Sequence, residues 1–507
     1  MNVPDRVCMT RRIILTAALL CFAAALYARG YEETLRRNLW NIGENITGIR
    51  EDTVSISTAK LYGSYETGGL RGPSDPVSAW RVGAHAATIM HLPKFSMRGT
   101  FGFEQLIANS MCGSMFIHPG FYPVDVYEFT PGNKTGQTYS FSGGLSADIA
   151  PHWRIGALME FESANLAKRK DLRHNNFRLD MLVSPSVQYH SGKFSLGLNY
   201  IFSRNTESVN AEQVGSSTSG YQAFFDKGLF YGVGQLWQGS GVHLSEAGVS
   251  GLPVKENING AGVQLSYGGW FLNASYRFRS GEVGEKQFIW YRFPGRDANV
   301  DLGFISHSGE CYHRVLGNFS FLQQNNTESV LEKTTVGGVT VVENYGFNPL
   351  SCRRRFAGSV EYEYYSPKWT ARALIGTDNR EMNVGSIYPW VAYQSLLTPF
   401  LEVYGKVALW KFNLSLCAGY RRGLLTDTLL SVSNQCESLV VPSRQEEYFS
   451  RTAELVSRGV VSLEPAVRFN FLKGFYVQAS ASWQKAFRVQ TIGGSRIAAS
   501  ILFGYDF

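Results

Sequence analysis

Apolar and polar residues alternate along the C-terminal part of the chain. Between residues 475 and 484 the odd positions are apolar: Phe475, Val477, Ala479, Ala481 and Trp483. The even positions are mostly polar, and residues 497–507 repeat the alternation up to Phe507. Successive side chains of a β-strand point to opposite sides, so a period of two predicts strands with one apolar face. Each run has about 10 residues, the length of a strand that crosses a lipid bilayer.

Short turns recur between pairs of such strands, and an aromatic residue opens the strand after each turn. Seven turns of this kind end at Phe95, Trp153, Phe194, Trp270, Trp369, Phe412 and Phe475. The other connections are longer and polar, as at residues 164–175, 205–257 and 433–458. This asymmetry is typical of membrane barrels. The pattern therefore predicts an all-β fold over residues 53–507: a transmembrane, antiparallel, up-and-down β-barrel with short periplasmic turns and long extracellular loops.

The number of strands follows from the hairpins. One strand near residues 53–65, fourteen strands in the seven hairpins and one final strand give 16 strands. Residues 280–355 are harder to assign, because Val315, Phe319 and Phe321 alternate with their neighbours and suggest one more hairpin. A barrel of 18 strands is therefore the alternative.

An apolar stretch follows basic residues at the N-terminus. Arg11 and Arg12 precede the 16 residues from 13 to 28. A basic start, an apolar middle and a small residue at the cleavage site make up a secretory signal peptide. We therefore predict that residues 1–28 are a signal peptide cleaved after Ala28, and that the protein is exported to a Gram-negative outer membrane. A membrane anchor is the alternative, although a spanning helix needs about 20 apolar residues.

Residues 29–52 do not alternate. Their apolar residues recur at helical spacing: Leu35, Leu39, Trp40, Ile42 and Ile46. This spacing predicts a short amphipathic helix. The segment has two interpretations, a plug inside the barrel lumen or a periplasmic lead-in with no gating role.

Composition narrows the class of protein. The chain has 507 residues with 52 Gly, 33 Phe, 26 Tyr, 10 Trp and only 18% charged residues, which excludes a disordered polymer. Removing residues 1–28 takes away three arginines and one aspartate, so the net charge falls from +7 to +5. So small a charge on so long a chain predicts no nucleic-acid partner.

The cysteines suggest neither a metal site nor a disulfide framework. Five remain after residue 28: Cys112, Cys311, Cys352, Cys417 and Cys436. Their number is odd and their spacing wide, so they match no paired metal-binding pattern. A disulfide between Cys311 and Cys352 and a set of free thiols are the alternatives.

Several charged residues are predicted to face the barrel lumen. They are Arg98, Arg154, Arg277, Arg372, Arg468 and Arg496, with Glu104, Glu160, Glu361, Glu363 and Glu402. A charge on the lipid face costs about 2–4 kcal/mol at the membrane midplane, whereas a wet lumen tolerates it. Opposite charges in one lumen suggest a network that holds the barrel rigid. A conduit that favours anions modestly is the alternative.

No catalytic constellation is evident in the sequence. The histidines lie mostly in predicted turns or loops: His85, His152, His174, His190, His243, His307 and His313. No Gly-x-Ser-x-Gly nucleophile elbow is present, and no histidine shares the predicted level of Ser480 and Ser482. We therefore predict no enzymatic activity, no metal site and no cofactor. An outer-membrane enzyme remains an alternative.

One predicted outer loop is rich in aromatic residues. Phe224, Phe225, Phe230, Tyr231 and Trp237 lie among glycine and serine residues. Clustered aromatic residues in a surface loop bind a ligand or partner, or they form a small core of the loop itself over the barrel mouth.

The leader, the strands, the long loops and the terminal residues Phe503, Tyr505 and Phe507 resemble the uncharacterised outer-membrane barrel families of Bacteroidota. The resemblance implies contact with outer-membrane lipid, assembly by the barrel-assembly machinery and a part in nutrient or metal-chelate uptake. A separate TonB-dependent transporter or a surface lipoprotein is the implied partner. The chain itself is too short for 22 strands and a plug domain. A lumenal N-terminal segment would be similar to that of the long-chain fatty-acid channel family, and a non-conducting surface receptor is the alternative function.

Overall fold

The computed structural model describes residues 30–170, 173–212, 221–237, 252–285, 288–385, 391–430 and 444–507. The predicted signal peptide, Cys436 and His243 lie outside these residues. None of the described helices is both long and apolar enough to cross a membrane.

The described chain is almost entirely β-strand. The strands are β1 (Ile56–Gly68), β2 (Ser78–His91), β3 (Phe95–Ser114), β4 (Asp125–Ala150), β5 (Trp153–Lys168), β6 (Arg173–Ser191), β7 (Phe194–Glu212), β8 (Tyr221–Asp226), β9 (Gly232–Trp237), β10 (Leu252–Tyr267), β11 (Trp270–Glu285), β12 (Phe288–Ser308), β13 (Cys311–Val336), β14 (Val339–Tyr365), β15 (Trp369–Val384), β16 (Ala392–Leu409), β17 (Phe412–Arg422), β18 (Leu424–Leu430), β19 (Gly459–Asn470), β20 (Phe475–Ala486) and β21 (Ser495–Asp506). The helices are α1 (Tyr31–Arg37) and α2 (Gln445–Ser457), with short 3₁₀ helices at Leu39–Asn41 and Ile46–Glu51.

Eighteen of these strands form one closed antiparallel barrel, which confirms the predicted fold class. β1 pairs with β21, from Thr58 opposite Asp506 to Gly68 opposite Arg496, and this pairing closes the ring. The wall contains every strand except β8, β9 and β18. β8 and β9 form a separate hairpin that pairs with the start of β4, and β18 continues β17 along β16. We call the two ends of the barrel the short-turn end and the long-loop end.

The observed count of 18 strands means that the prediction of 16 is wrong and that the alternative is right. All seven predicted hairpin turns are present, and the additional hairpin consists of β12 and β13. It turns at Gly309, whose φ of 63° suits a tight turn. The sequence count missed this turn because Cys311, rather than an aromatic residue, opens the next strand.

The alternation of apolar residues places large side chains on the outside of the wall. Leu61, Phe278 and Ile501 are 60%, 63% and 65% exposed in the isolated chain. Four of the seven aromatic residues after the short turns, Trp153, Trp270, Trp369 and Phe412, are also exposed, and Phe95, Phe194 and Phe475 are half-buried. So large an apolar belt, flanked by aromatic residues, is the surface that lipid covers in a membrane barrel.

Two predicted loops are shorter than expected. Residues 164–175 are mostly strand, because β5 and β6 continue their pairing from Ala164 opposite Arg178 to Lys168 opposite His174. β7 likewise extends to Glu212, and β10 begins at Leu252. Several polar side chains of these stretches are buried, among them Lys168, His174 and Asn176, so polarity alone does not separate an extended strand from a loop.

Of the two alternatives for the cysteines, the structure shows free thiols and no disulfide between Cys311 and Cys352. Both are free, as are Cys112 and Cys417. Cys311 opens β13 at the short-turn end, whereas Cys352 lies far along β14, opposite Asn325. A strand rises about 3.3 Å per residue, and a disulfide needs Cα atoms within about 7 Å. The register therefore keeps the two thiols apart.

The facing of β20 predicts unequal effects of charge at two adjacent positions. Ala481 lies on the outer face, whereas the Ser480 hydroxyl bonds to that of Ser500 inside the barrel, at 2.6 Å. We expect Ala481→Arg to destabilise the folded barrel by about 2–4 kcal/mol and Ser480→Arg to be tolerated. Urea unfolding in lipid vesicles measures the difference. Equal stability of the two variants would contradict this facing.

Candidate functional site in the barrel lumen

Residues 30–52, called here the N-terminal segment, pack against inward-facing side chains at the short-turn end. The predicted single helix is wrong, because α1 ends at Arg37 and two 3₁₀ helices follow. The side chains of Asn38 and Asn45 accept hydrogen bonds from the backbone of Trp40 and Thr47, each at 3.0 Å. Such local bonds compete with helical bonds, and Gly43 adds a left-handed residue with φ of 81°. The N-terminal segment therefore consists of three short helices instead of one.

The apolar residues predicted for the N-terminal segment are buried or partly buried. Leu39 and Trp40 form a cluster with Phe271 of β11, and Ile42 packs against it. The Trp40 ring meets Phe271 edge-on at 5.8 Å, and its indole N–H donates to Ser266 at 3.1 Å. Elsewhere in the segment Ile46 is buried, and Leu35 packs against a second cluster around Ile49.

Two glycines of the wall permit this close contact. A Cβ atom at Gly144 of β4 would lie 2.5 Å from the Ile46 side chain. One at Gly197 of β7 would lie 2.9 Å from the Trp40 ring and would also collide with the Asn45 amide. Real Cβ atoms do not approach other heavy atoms so closely. The wall is therefore shaped to receive the N-terminal segment.

Ion pairs tie the N-terminal segment to the wall. They are Glu32–Lys60 (3.2 Å), Glu33–Lys406, Arg36–Glu361 (3.3 Å), Arg36–Glu363 (3.0 Å), Glu44–Arg277, Arg50–Asp148 (2.5 Å) and Glu51–Arg154 (2.6 Å). The partners Asp148 and Arg154 lie on β4 and β5, whereas Glu361 and Lys406 lie on β14 and β16. These strands are on opposite sides of the ring. The N-terminal segment therefore crosses the lumen.

The charged residues predicted for the lumen fall into separate groups. Arg154 and Arg277 bind the N-terminal segment, while Arg372 lies between Glu361 (3.7 Å) and Glu402 (3.3 Å). Nearer the closing strands, Arg468 pairs with Asp506 (2.9 Å) and Arg496 with Glu66 (3.1 Å). Arg98 borders a narrow gap beside Trp40 and Ile46. Glu160 shares the inward face of β5 with Arg154.

The acidic and basic residues of the N-terminal segment were not predicted as functional. Glu33, Arg36, Glu44 and Glu51 carry most of its polar contacts with the wall. The spacing of apolar residues says nothing about them, and their partners lie 103 to 373 residues away. The only sequence signal for these contacts is that the N-terminal segment contains both acidic and basic residues.

A second set of contacts covers the lumen at the long-loop end. Residues 115–124, between β3 and β4, fold onto inward-facing side chains. Arg353 of β14 donates to the carbonyl oxygens of Gly120 (3.0 Å) and Phe121 (2.6 Å). The Arg178 guanidinium of β6 lies 4.6 Å from the centre of the Phe121 ring. Because β6 and β14 belong to different sides of the wall, the loop bridges the mouth.

Three of the aromatic residues predicted in the outer loop, Phe224, Phe225 and Phe230, belong to a small core over this mouth, whereas the side chain of Trp237 lies outside the described residues. Phe224 and Phe225 of β8 are fully buried. Phe225 stacks on Tyr291 of β12, with ring centres 5.1 Å apart, and Phe224 packs near Tyr448 of α2. We call residues 115–124, the β8–β9 hairpin and α2 together the cap. These rings stabilise the cap, so this core accounts for their clustering.

α2, a part of the cap, is hydrogen-bonded to the loop between β20 and β21. The Glu454 carboxylate accepts hydrogen bonds from the backbone N–H groups of Gln490 (2.6 Å), Thr491 (2.6 Å) and Ile492 (3.2 Å). At the other end of the helix, the Tyr448 hydroxyl lies 3.3 Å from the Cys112 thiol. α2 therefore spans from this loop to the end of β3.

Comparison with known proteins gives a family for this architecture. Residues 47–507 match the family of unknown function DUF6850. The chain belongs to this family. No match was found among curated proteins.

Solved structures with a similar fold include an uptake receptor, an iron transporter and an outer-membrane expressed protein. The ferric yersiniabactin uptake receptor FyuA of Yersinia pestis is 8% identical, with 90% of this chain and 80% of that chain covered and a TM-score of 0.44. The FrpB iron transporter of Neisseria meningitidis is 7% identical, with 91% and 83% covered and a TM-score of 0.41. The outer-membrane OmpT of Vibrio cholerae is 10% identical, with 83% and 100% covered and a TM-score of 0.34.

The described residues offer no metal centre, because no group of three or more His, Cys, Asp or Glu side chains converges among them. Ser480 bonds to Ser500, and Ser482 donates to Glu464 at 3.2 Å. Within the part of the chain that the structure describes, neither serine has a histidine partner. The site is thus a pair of lumenal closures, the N-terminal segment and the cap.

The Glu454 anchor predicts a local effect on the cap. Burial alone would raise the pKa of Glu454, but hydrogen bonds from Thr491 and Gln490 and the nearby Arg458 lower this pKa to about 2. The charged form therefore stabilises the cap above the ordinary pKa of about 4.3, and this contribution is lost as the pH falls towards 2. Glu454→Gln should remove it at neutral pH.

Hydrogen–deuterium exchange measures this effect. In Glu454→Gln, amides 490–492 should exchange roughly tenfold faster at pH 7, because hydrogen bonds to a charged group contribute about 1.5–3 kcal/mol. Glu447→Gln is the matched control, since among the described residues Glu447 bonds to Arg444 and Arg451, at the same helix, and not to the loop. Unchanged exchange in Glu454→Gln would contradict the anchoring role.

Proposed function

We propose that the protein is an outer-membrane channel for hydrophilic solutes, acting in nutrient or metal-chelate uptake, with the N-terminal segment as its plug. The observation that carries the proposal is the set of ion pairs joining this segment to opposite sides of the wall. Ionic contacts in a wet lumen can be exchanged for contacts with water at small cost. A segment held in this way can leave the lumen without unfolding the barrel.

The size of the barrel supports a conduit. A barrel of 16 to 18 strands leaves an aqueous channel unless something fills it. Here the N-terminal segment and the cap occupy the lumen at opposite ends. Both would have to move or rearrange before a large solute could pass.

The outer membrane is the proposed location because a closed barrel with an apolar belt satisfies all backbone groups in lipid. The short turns would then be periplasmic. Phe507 supports a role of the C-terminus in assembly, since its backbone exchanges two hydrogen bonds with Ser57 of β1, at 2.8 and 2.9 Å. Tyr505 stacks between Phe507 and Phe475 on the outer face. We propose that the barrel-assembly machinery reads this aromatic end.

A second candidate is a non-conducting surface receptor. The buried core of the cap favours it, because a well-packed surface is suited to a partner such as a surface lipoprotein or a separate TonB-dependent transporter. The two candidates differ in one property. A channel conducts ions once its plug is removed, and a receptor with a filled lumen does not.

Deletion of residues 31–50 tests the plug. It removes three glutamates and three arginines, so the net charge does not change. We expect single-channel conductance in planar bilayers to rise several-fold above that of the intact protein. Five of the six predicted lumenal arginines are ion-paired, so any preference for anions should be small. Negligible conductance of both proteins would instead favour the receptor.

A wall substitution tests the same plug without shortening the chain. Gly197→Val places a side chain where Trp40 and Asn45 lie, so it should displace the N-terminal segment and raise conductance as the deletion does. Gly143→Val is the matched control, because a side chain there meets open space. Both variants must show the heat-modifiable gel mobility of a folded barrel. Equal conductance of the two folded variants would contradict displacement of the plug.

A further inference from the structure

The N-terminal segment covers the inner wall unevenly. Inward-facing Ser146 of β4, Ser184 and Gln188 of β6 and Gln264 of β10 are fully buried. By contrast, inward-facing polar residues of β17, β19, β20 and β21 remain partly or fully accessible: Ser415, Glu464, Gln478, Ser480, Ser482 and Ser500. We call this second region, the inner face of β17 and β19–β21, the open face.

The polar contacts of the N-terminal segment explain the difference. Its ion pairs and hydrogen bonds reach strands from β1 through β5 and β6 to β16. Among the described residues, none reaches β17, β19, β20 or β21. A cavity of about 340 Å³ adjoins this region: it lies along the inner side of β1–β4, lined by Tyr62, His85, Glu104 and Ser140 among others, and reaches β21 at Leu502.

We propose that the open face lines an off-centre, water-filled passage beside the plug, suited to small hydroxyl- or amide-bearing solutes and unfavourable to anions near Glu464. This inference rests on the proposed channel function and deepens it, because it names a route that does not require the plug to leave. Solutes too large for the route would still need the plug to move.

The chemistry of the open face supports this class of solute. Its middle consists of hydroxyl groups, with Ser480 bonded to Ser500 and Ser482 bonded to Glu464. Such groups offer hydrogen bonds to a neutral polar solute in place of water. Positive charge at the two ends is compensated in part, since Arg468 pairs with Asp506 and Arg496 with Glu66.

Glu464 gives the face its local charge. Its carboxylate is exposed to the lumen and has no ion-pair partner among the described residues. The nearest inward arginine on the preceding strand, Arg421, lies nearer the long-loop end, where it adjoins Arg380. A negative charge without a partner repels anions over about a Debye length.

The cap determines where the passage stops in this structure. Leu455 of α2 packs against Leu70, Val460, Ala486 and Ile492, at the long-loop ends of the strands around the open face. α2 therefore covers the long-loop end of the passage, and at the short-turn end the passage runs beside Tyr476, which is buried beneath the Arg468 guanidinium, 3.4 Å from its ring centre.

Cysteine accessibility tests the passage without requiring conduction. Single cysteines are introduced as Ser480→Cys and Ser500→Cys on the open face and as Ser146→Cys and Ser184→Cys beneath the N-terminal segment. The background carries Cys→Ser substitutions at Cys112, Cys311, Cys352, Cys417 and Cys436. Each folded, heat-modifiable variant in detergent is treated with the cationic thiol reagent MTSET or the anionic reagent MTSES.

We expect the two cysteines of the open face to react at least about tenfold faster than the two covered cysteines, because covered sites react only after local opening. Similar rates at all four sites would overturn the passage, whether all are fast or all are slow. Adding the 31–50 deletion should raise the rates of the covered sites alone. If conductance does not rise in the same deletion variant, the proposed channel function is wrong. The labelling rates at the four sites still test the passage independently.

The charge preference has its own comparison. For each variant, the measured quantity is the ratio of the MTSET rate to the MTSES rate at Ser480→Cys. Adding Glu464→Gln should lower this ratio roughly fivefold, because it removes a unit charge on the adjacent strand. Glu162→Gln is the matched control, because Glu162 lies on β5, across the lumen from the open face, beside Arg178. An unchanged ratio in Glu464→Gln would overturn the exclusion of anions.

Discussion

The structure depends on one constraint, that a backbone surrounded by lipid must satisfy its own hydrogen bonds. The ring of 18 strands satisfies it only because β1 pairs with β21, and the last residue takes part. Phe507 donates to and accepts from Ser57, so the pairing continues to the end of the chain. Closure then fixes the two faces, since alternate side chains must meet lipid or lumen. The exposed Ile501 and the inward Ser500 on one strand are its direct consequence.

Closure of so many strands creates a second requirement, because the lumen is too wide for wall side chains to fill. The protein fills it from both ends by different means. At the short-turn end, ion pairs such as Arg36–Glu363 and Arg154–Glu51 hold a segment of short turns. At the long-loop end, buried rings such as Phe225 and Tyr291 hold the cap. Ionic contacts tolerate water and apolar cores exclude it; since Leu39, Trp40 and Ile46 also bury apolar surface against the wall, opening the inner closure has to break both kinds of contact.

The wall could be predicted from the sequence because its signals are local. Alternation, Pro- or Gly-containing turns and opening aromatic residues such as Trp369 lie within a few residues of one another. The rule of an opening aromatic residue failed at the turn before β13, because Cys311 opens this strand and the aromatic residue, Tyr312, follows one position later. The lumenal contacts are non-local, and the Glu33–Lys406 pair joins residues 373 positions apart. Helical spacing in residues 31–52 predicted an apolar face correctly, but Asn38, Gly43 and Asn45 divided the helix. Local spacing thus indicates which residues are buried but does not identify the residues that they contact.

The unequal cover of the wall follows from the length of the N-terminal segment. Some twenty residues in short turns can span the lumen once, from β4 and β5 to β14 and β16, and cannot line the whole ring. The uncovered side is where β1 and β21 close the barrel. The middle of this side carries small hydroxyl-bearing residues, Ser480 and Ser500, whereas nearer the short-turn end the inward Tyr476 is buried beneath Arg468. α2 lies at the outer end of the same side, fixed by Glu454. The cover that is missing at one end is therefore supplied at the other, and the region between them is left to water.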